Sequence, residues 1–345
     1  MNKIPLGKSP RKILVVKPSS LGDIVHSMPF LQVMRETFPQ SEIHWIVAKG
    51  LEGLLEGHPL VQRLWIIDKD RWKDLKRAGS TVNELKTLFA SLRKEKFDLA
   101  VDLQGLLRSG ILTGASRAPV RVGFSEAREG STLFYTHRVR GCRDVHAVDR
   151  YLEIASALGG SVNEVRFPLP PAKDSAGIRK MKEDTGNYVV IVPGARWKTK
   201  IWAAERFGRV ASLLRERSII VGSRADGERA REIETLSRGK ALSLAGRTDL
   251  RELIALIRDA RFVITNDSGP MHIAAALGIP VVALFGPTNP VRTGPYGGNH
   301  LLITPDIPCA PCYKKKCDAV RCMDAITVEQ VYQTIKERFY EIPDR

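Results

Sequence analysis

Arg261-Phe-Val-Ile-Thr-Asn-Asp-Ser-Gly-Pro-Met-His-Ile-Ala-Ala-Ala-Leu277 is the stretch from which the fold is read. Phe262, Val263 and Ile264 form a short apolar run that reads as a buried strand. Ser268 and Gly269 turn the chain into a helix whose apolar part runs from Ile273 to Leu277. A strand–turn–helix of this kind aims free backbone N–H groups at the carboxyl end of the strand, where anions bind. A second apolar strand, Val281-Val-Ala-Leu-Phe285, follows at once and is closed by Gly286-Pro287-Thr288. The whole is a βαβ unit with a polar, anion-friendly mouth. Taken alone, the stretch is equally consistent with an ordinary turn in which Asp267 or Ser268 caps the helix.

The same alternation extends in both directions. Towards the N-terminus, strands are predicted at Lys12–Val16, Ile43–Val47, Leu64–Ile67, Leu99–Leu103 and Arg121–Phe124. Helices are predicted over Ile24–Phe38 and Val82–Lys94, with another starting at His146. Phe167-Pro-Leu-Pro-Pro-Ala-Lys173 reads as a stiff linker, because its prolines hold the chain extended. Beyond it come strands at Tyr188–Val192 and Ser218–Val221, then helices at Ala203–Leu214, Ala225–Leu236, Leu250–Arg258 and Thr327–Phe339. Strands alternating with helices predict parallel, doubly wound sheets. A length of 345 residues predicts two such domains, 1–170 and 171–345, with a cleft between them.

Composition narrows the function. Lysines and arginines outnumber acids 54 to 38, a formal net charge of +16 that calls for an anionic partner. The first residues are polar and basic, unlike a signal peptide. No run approaches the roughly 20 apolar residues of a membrane span. A cytoplasmic protein is therefore expected, able to meet a membrane surface through its basic face. Four of the five cysteines cluster as Cys309-x2-Cys312-x4-Cys317-x4-Cys322, and in a cytoplasmic chain a disulfide framework is not expected.

Three loops at strand ends carry the chemistry. Lys17-Pro-Ser-Ser-Leu-Gly-Asp23 places a carboxylate in a first helical turn, where it can act as a base. Ser20-x-x-Asp23 is also a capping-box pattern, so both roles stay open. Gly22 stands alone, and without G-x-G-x-x-G a nicotinamide enzyme is not expected. Pro193-Gly-Ala-Arg-Trp-Lys-Thr-Lys200 gathers Arg196, Lys198 and Lys200 in one loop, a cation set that suits a pyrophosphate. Asp267–His272 is the third. A further basic set, Arg71, Lys73, Arg108, Arg128, Arg138, Arg140, His146 and Arg150, suits an acidic acceptor.

Pro18-Ser-Ser-Leu-Gly-Asp23, Asp267-Ser-Gly-Pro-Met-His272 and Leu284-Phe-Gly-Pro-Thr288 resemble the ADP-heptose:lipopolysaccharide heptosyltransferases, glycosyltransferase family 9. Val101-Asp-Leu-Gln-Gly-Leu-Leu-Arg108, Glu126-Ala-Arg-Glu129 and His146-Ala-Val-Asp-Arg150 look most like the subtype that adds the first heptose to Kdo, heptosyltransferase I. The resemblance implies a GT-B fold of two Rossmann-like domains, with the acceptor on the N-terminal one and ADP-heptose on the C-terminal one. It implies that the last helix, about 327–340, packs back on the N-terminal domain. It also implies inverting transfer without a catalytic metal or other required cofactor.

By the same resemblance Asp23 is the base and Lys200 the donor-phosphate lysine. An ordinary aspartate, pKa about 3.9, is a weak base, but it need only accept the proton as the new bond forms. Ser20, Gly22, Ala195, Arg196, Lys200, Arg224, Asp267, Ser268, Gly269 and His272 fall on donor positions. Ala195 and Arg196 stand where the family carries threonines, and Arg224 where it carries a glutamate. Lys73, Arg128, His146 and Arg150 fall on positions that face Kdo carboxylates and lipid A phosphates. The partners implied are ADP-heptose and a Kdo-bearing lipid A at the cytoplasmic face of the inner membrane, and no nucleic acid.

Some protein-directed members hold a cysteine-bound iron in this region. The four thiols here could hold a structural iron or zinc, or be unliganded. Within the family, addition of the second heptose or action on another glycan or protein remains open. Outside it stand a basic nucleic-acid-binding protein, for which no recognisable module is present, and a silent nucleotide-sugar binder.

Overall fold

The computed structural model describes residues 3–73, 78–142 and 144–341. The chain divides into two units, Met1–Pro171 and Ala172–Arg345.

Unit 1 is a parallel sheet of β1 (Lys12–Val16), β2 (Glu42–Ala48), β3 (Arg63–Ile67), β4 (Leu99–Asp102), β5 (Val120–Phe124) and β6 (His137–Val139). Their order across the sheet is β3-β2-β1-β4-β5-β6, with Leu14 level with both His44 and Ala100. The central strands are apolar on both faces because helices cover both. Ile13, Leu14, Val15 and Val16 are fully buried, as are Leu99, Ala100 and Val101. The helices are α1 (Leu21–His26), α2 (Met28–Thr37), α3 (Ala78–Lys94), α4 (Leu107–Ala115) and α5 (Ala147–Ala157).

Unit 2 repeats the plan. It contains β7 (Tyr188–Val192), β8 (Arg217–Ile220), β9 (Ala241–Ser243), β10 (Val263–Asn266), β11 (Val281–Leu284) and β12 (Leu301–Ile303), all parallel, in the order β12-β11-β10-β7-β8-β9. Its helices are α6 (Ala176–Thr185), α7 (Ala204–Leu213), α8 (Gly227–Leu236), α9 (Leu250–Arg258), α10 (Gly269–Ala276), α11 (Pro290–Thr293), α12 (Arg321–Asp324) and α13 (Val328–Phe339). In each unit the first strand lies beside the fourth, so the order reverses there. That switch point is where doubly wound sheets bind ligands, outside the carboxyl ends of the strands.

Some features differ from the sequence reading. The single helix expected over Ile24–Phe38 is two, broken at Ser27, because Pro29 in the first turn of α2 has no N–H to continue a ladder. The helix after β10 begins at Gly269, ahead of its apolar run. The short strands β6, β9 and β12 lie outside the expected set. The apolar face of α13 is covered within unit 2: Val328, Val331 and Ile335 join a core with Trp202, Phe207 and Val210. No helix among the described residues is long and apolar enough to cross a membrane.

Gly123 in β5 admits no side chain, since a Cβ there would sit 2.4 Å from a ring carbon of Tyr135. That ring is buried, and its hydroxyl donates to Asp102 Oδ2 at 2.7 Å. Gly123→Ala is expected to lower the unfolding free energy by about 1–3 kcal/mol through overpacking. Urea denaturation checks this, and an unchanged midpoint would contradict it.

Candidate functional site

In unit 1 the switch point lies between the loops that follow β1 and β4. Asp23, in the first turn of α1, accepts hydrogen bonds at Oδ2 from the Ser20 N–H at 2.8 Å and the Ser20 hydroxyl at 2.7 Å. The capping role left open by the sequence is therefore real. It engages one oxygen of the carboxylate. Oδ1 lies 3.5 Å from the Tyr151 hydroxyl and 3.7 Å from Lys17 Nζ. Asp23 is 38% exposed at its side chain while Lys17 is 2% exposed, so the carboxylate faces outward over a buried cation. Gly22 is buried in α1.

The loop after β4 closes the other side. Lys17 Nζ donates to the Leu103 carbonyl at 3.3 Å. Asp102, fully buried, accepts from the Gln104 and Gly105 N–H groups at 2.8 and 3.0 Å. Burial pushes its carboxyl above the usual aspartate range, against the pull of these bonds. Burial likewise pushes the Tyr151 phenol up, against the opposing pull of Lys17.

The expected acceptor residues gather partly around this loop. His146 caps α5, its Nδ1 accepting from the Val148 N–H at 3.2 Å, and its ring meets His26 edge-on at 5.0 Å. Arg150 stacks over Phe124 at 4.0 Å, with Nη2 4.0 Å from Glu126 Oε2. Arg128 is exposed and anchored by its N–H to the Gly105 carbonyl at 2.8 Å. The Lys73 side chain lies outside the described residues. Arg71 is turned to Glu84 at 2.8 Å.

Unit 2 has its own constellation at the corresponding place. Asn266 ends β10 and spans the switch point: its Nδ2 donates to the Pro193 carbonyl at 2.8 Å, and its Oδ1 accepts from the Trp202 N–H at 3.2 Å. Lys200, from the loop after β7, forms an ion pair with Asp267 Oδ2. Thr288 donates to the same oxygen at 2.6 Å. Asp267 is 7% exposed, so the loops after β7, β10 and β11 meet at one buried carboxylate. The Lys200 ammonium also lies 4.5 Å above the Trp197 ring.

Ser268 is the N-cap of α10, Gly269 its first residue, and His272 is buried in its first turns. Ser268 Oγ lies 3.0 Å from Thr265 Oγ1 rather than bonding its own helix, which leaves the capping of that helix to other groups. Ala195 is half-buried and Arg196 exposed in the Pro193–Lys200 loop. Arg224 is exposed and packs against Gly246, where a Cβ would lie 2.7 Å from Arg224 Cγ. The carboxylate nearest the Pro193-Gly194 turn is Asp226, which accepts from the Ser223 N–H and hydroxyl at 2.9 and 2.7 Å. It lies so close to Gly194 that a Cβ there would be 2.5 Å from it.

The cysteine segment is a buttress for these loops. The Cys312 and Tyr313 N–H groups donate to the Pro287 carbonyl at 3.1 and 2.7 Å, and Thr199 donates to the Lys314 carbonyl at 2.9 Å. Cys322 packs against Gly286, where a Cβ would sit 3.0 Å from its sulfur. Among the described residues no three His, Cys, Asp or Glu side chains are arranged to hold a metal ion.

Sequence reasoning missed Lys17, Asp102, Tyr151, Asn266, Thr288 and Asp226 as members of these sites. Lys17, Asn266 and Thr288 all stood within the quoted motifs, at or just beyond the carboxyl ends of apolar strands, and that position was the available sign.

Known proteins share this fold. The profile of glycosyltransferase family 9 (heptosyltransferase) matches residues 85–322. Lipopolysaccharide heptosyltransferase 1 of Pseudomonas aeruginosa is 33% identical over 324 residues, covering 89% of this chain and 87% of that protein. A family 9 glycosyltransferase from Veillonella parvula superposes with a TM-score of 0.80 at 25% identity, over 96% of this chain and 98% of its own. Escherichia coli heptosyltransferase WaaC, solved with ADP-2-deoxy-2-fluoro heptose, gives 0.77 at 25% identity, over 94% and 99%. Two parallel sheets with the same strand order, and loops at their switch points that join lysine to aspartate, thus fall in a known group with the GT-B fold: the chain belongs to glycosyltransferase family 9, the heptosyltransferases.

Proposed function

We propose that this enzyme transfers heptose from ADP-heptose to the Kdo of the lipopolysaccharide inner core, with inversion at the anomeric carbon. Its relatives are lipopolysaccharide heptosyltransferases, and one was solved with an ADP-heptose analogue. The observation that carries the reading is the division of chemistry between the units. Unit 1 presents a half-exposed carboxylate, Asp23, and unit 2 a cation, Lys200, paired with Asp267, whose Oδ2 also accepts from Thr288.

In this reading the diphosphate lies at the N-terminus of α10 and against Lys200. The backbone N–H groups of Ser268 and Gly269 and the ammonium take up the charge that develops on departing ADP. Asp267 orients Lys200 through Oδ2 and offers Oδ1 to a heptose hydroxyl. The acceptor hydroxyl attacks the anomeric carbon, its new C–O bond forming as the bond to the β-phosphate oxygen breaks. The electron pair leaves with ADP, and the hydroxyl proton passes to Asp23. Lys200 supplies positive charge at the leaving group, so no step is routed through a metal. Arg128, His146 and Arg150, with Lys73, serve the acidic acceptor.

A lipid-anchored acceptor brings the chain to a membrane surface. The net charge of +16 favours that encounter with anionic lipid.

The test is ADP release from ADP-heptose, with Kdo-bearing lipid A compared against its heptosylated product. Release with the first acceptor alone is expected; release only with the second would identify the enzyme as adding the next heptose, and release with neither would overturn the reading. Asp23→Ala is expected to lower kcat by about 10²–10⁴-fold while ADP affinity, read by calorimetry, stays within about twofold; retained turnover would remove Asp23 as the base. Lys200→Ala is expected to lower kcat/KM for the donor by at least about 10²-fold, with acceptor binding little changed. An unaltered donor kcat/KM would contradict it.

A further inference from the structure

Lys17 follows the fully buried run Ile13–Val16 directly and is itself 2% exposed. Burying an ammonium costs several kcal/mol unless acceptors and opposite charges surround it. Here they do. Nζ donates to the Leu103 carbonyl at 3.3 Å, stands 3.7 Å from Asp23 Oδ1 and lies 5.0 Å from the centre of the Tyr151 ring. Asp102, at the end of the adjacent strand, adds its own field. Burial alone would lower the Lys17 pKa, but Asp23, Tyr151 and Asp102 outweigh it and hold it above the ordinary lysine value. The lysine is therefore charged. For packing alone an apolar side chain of similar volume would serve as well or better, so the buried cation calls for another explanation.

Asp23 supplies one. Ser20 holds Oδ2 through two hydrogen bonds, at 2.8 and 2.7 Å. Oδ1 instead meets Lys17 and Tyr151 at 3.7 and 3.5 Å. These distances are beyond a strong hydrogen bond, yet well within reach of the ammonium's field.

We propose that Lys17 is a positioning residue for the base: its ammonium steers Asp23 Oδ1 and keeps the carboxylate ionised between turnovers. The inference rests on the reading of Asp23 as base given above. The proton of the acceptor hydroxyl goes to Asp23, and Lys17 keeps all of its own throughout. Once ADP has left, the Asp23 carboxyl returns that proton to solvent, and the neighbouring ammonium favours the return. Tyr151 and Arg150 from α5 and Asp102 from β4 are among the charged and titratable groups that act on this cluster.

The experiment compares kcat, donor KM and the kcat–pH profile of wild type, Lys17→Met, Lys17→Gln and Lys17→Arg in the full chain, with ADP-heptose and Kdo-bearing lipid A. Absence of transfer by wild type would refute the proposed function rather than this role. With wild type active, the two neutral variants are expected to lose about 10- to 100-fold in kcat, with donor KM within about twofold. Their acid limb should move to higher pH, because losing an adjacent cation disfavours the carboxylate. Lys17→Arg should lose about three- to tenfold in kcat and keep its acid limb in place. Neutral variants with wild-type kcat, or with a lowered kcat and an unmoved limb, would overturn the proposal. Should neither neutral variant fold, Lys17→Arg decides: it keeps the charge but displaces the nitrogen, and a wild-type kcat there would overturn it.

Discussion

Each half of the molecule depends on a lysine that ties together the loops on either side of a switch point. A parallel sheet whose strand order reverses sends its crossovers to opposite faces, and the ends of its two central strands open into a polar crevice. Main-chain groups in that crevice need partners, since burying them unpaired costs free energy. In unit 1 Lys17, after β1, donates to the Leu103 carbonyl, after β4, and also faces Asp23. In unit 2 Lys200, after β7, pairs with Asp267, after β10, while Asn266 links Pro193 to Trp202. The groups proposed to do the chemistry are thus the same groups that close the sheet. Their precision comes from strands buried on both faces rather than from the loops themselves.

The sequence made the central strands plain because parallel strands covered on both faces read as unbroken apolar runs. Tyr188–Val192 and Lys12–Val16 are found where they were expected, to the residue. The edges were harder to read. β6 is His-Arg-Val and β9 is Ala-Leu-Ser, three residues each, with partners on one side only and therefore little apolar pattern. α4 and α6 escaped notice for other reasons: the first carries two glycines and a threonine, and the second buries only Ile178 and Met181. In the site, Asp23, Lys200 and Asp267 were legible because each sits in a strand–turn–helix or loop of recognisable chemistry. Tyr151 was not, because it reaches Asp23 across 128 residues of chain. The Tyr135–Asp102 bond spans 33 and leaves no local trace.

The cysteine segment has a structural part of its own. Its main chain binds the Pro287 carbonyl and the Thr199 hydroxyl. It thereby braces the two loops that carry Lys200 and Thr288. The aromatic Trp197, with Lys200 on it at 4.5 Å and Lys315 at 5.2 Å, links that brace to the cationic end of the donor loop.

The central claim is a single displacement in which Asp23 takes the proton and no covalent sugar–enzyme intermediate forms. The most direct measurement is the anomeric configuration of the newly added heptose, read by NMR on product made from ADP-heptose of defined configuration. The account predicts the configuration opposite to that of the donor. Retention of the donor's configuration would require two displacements and would contradict it.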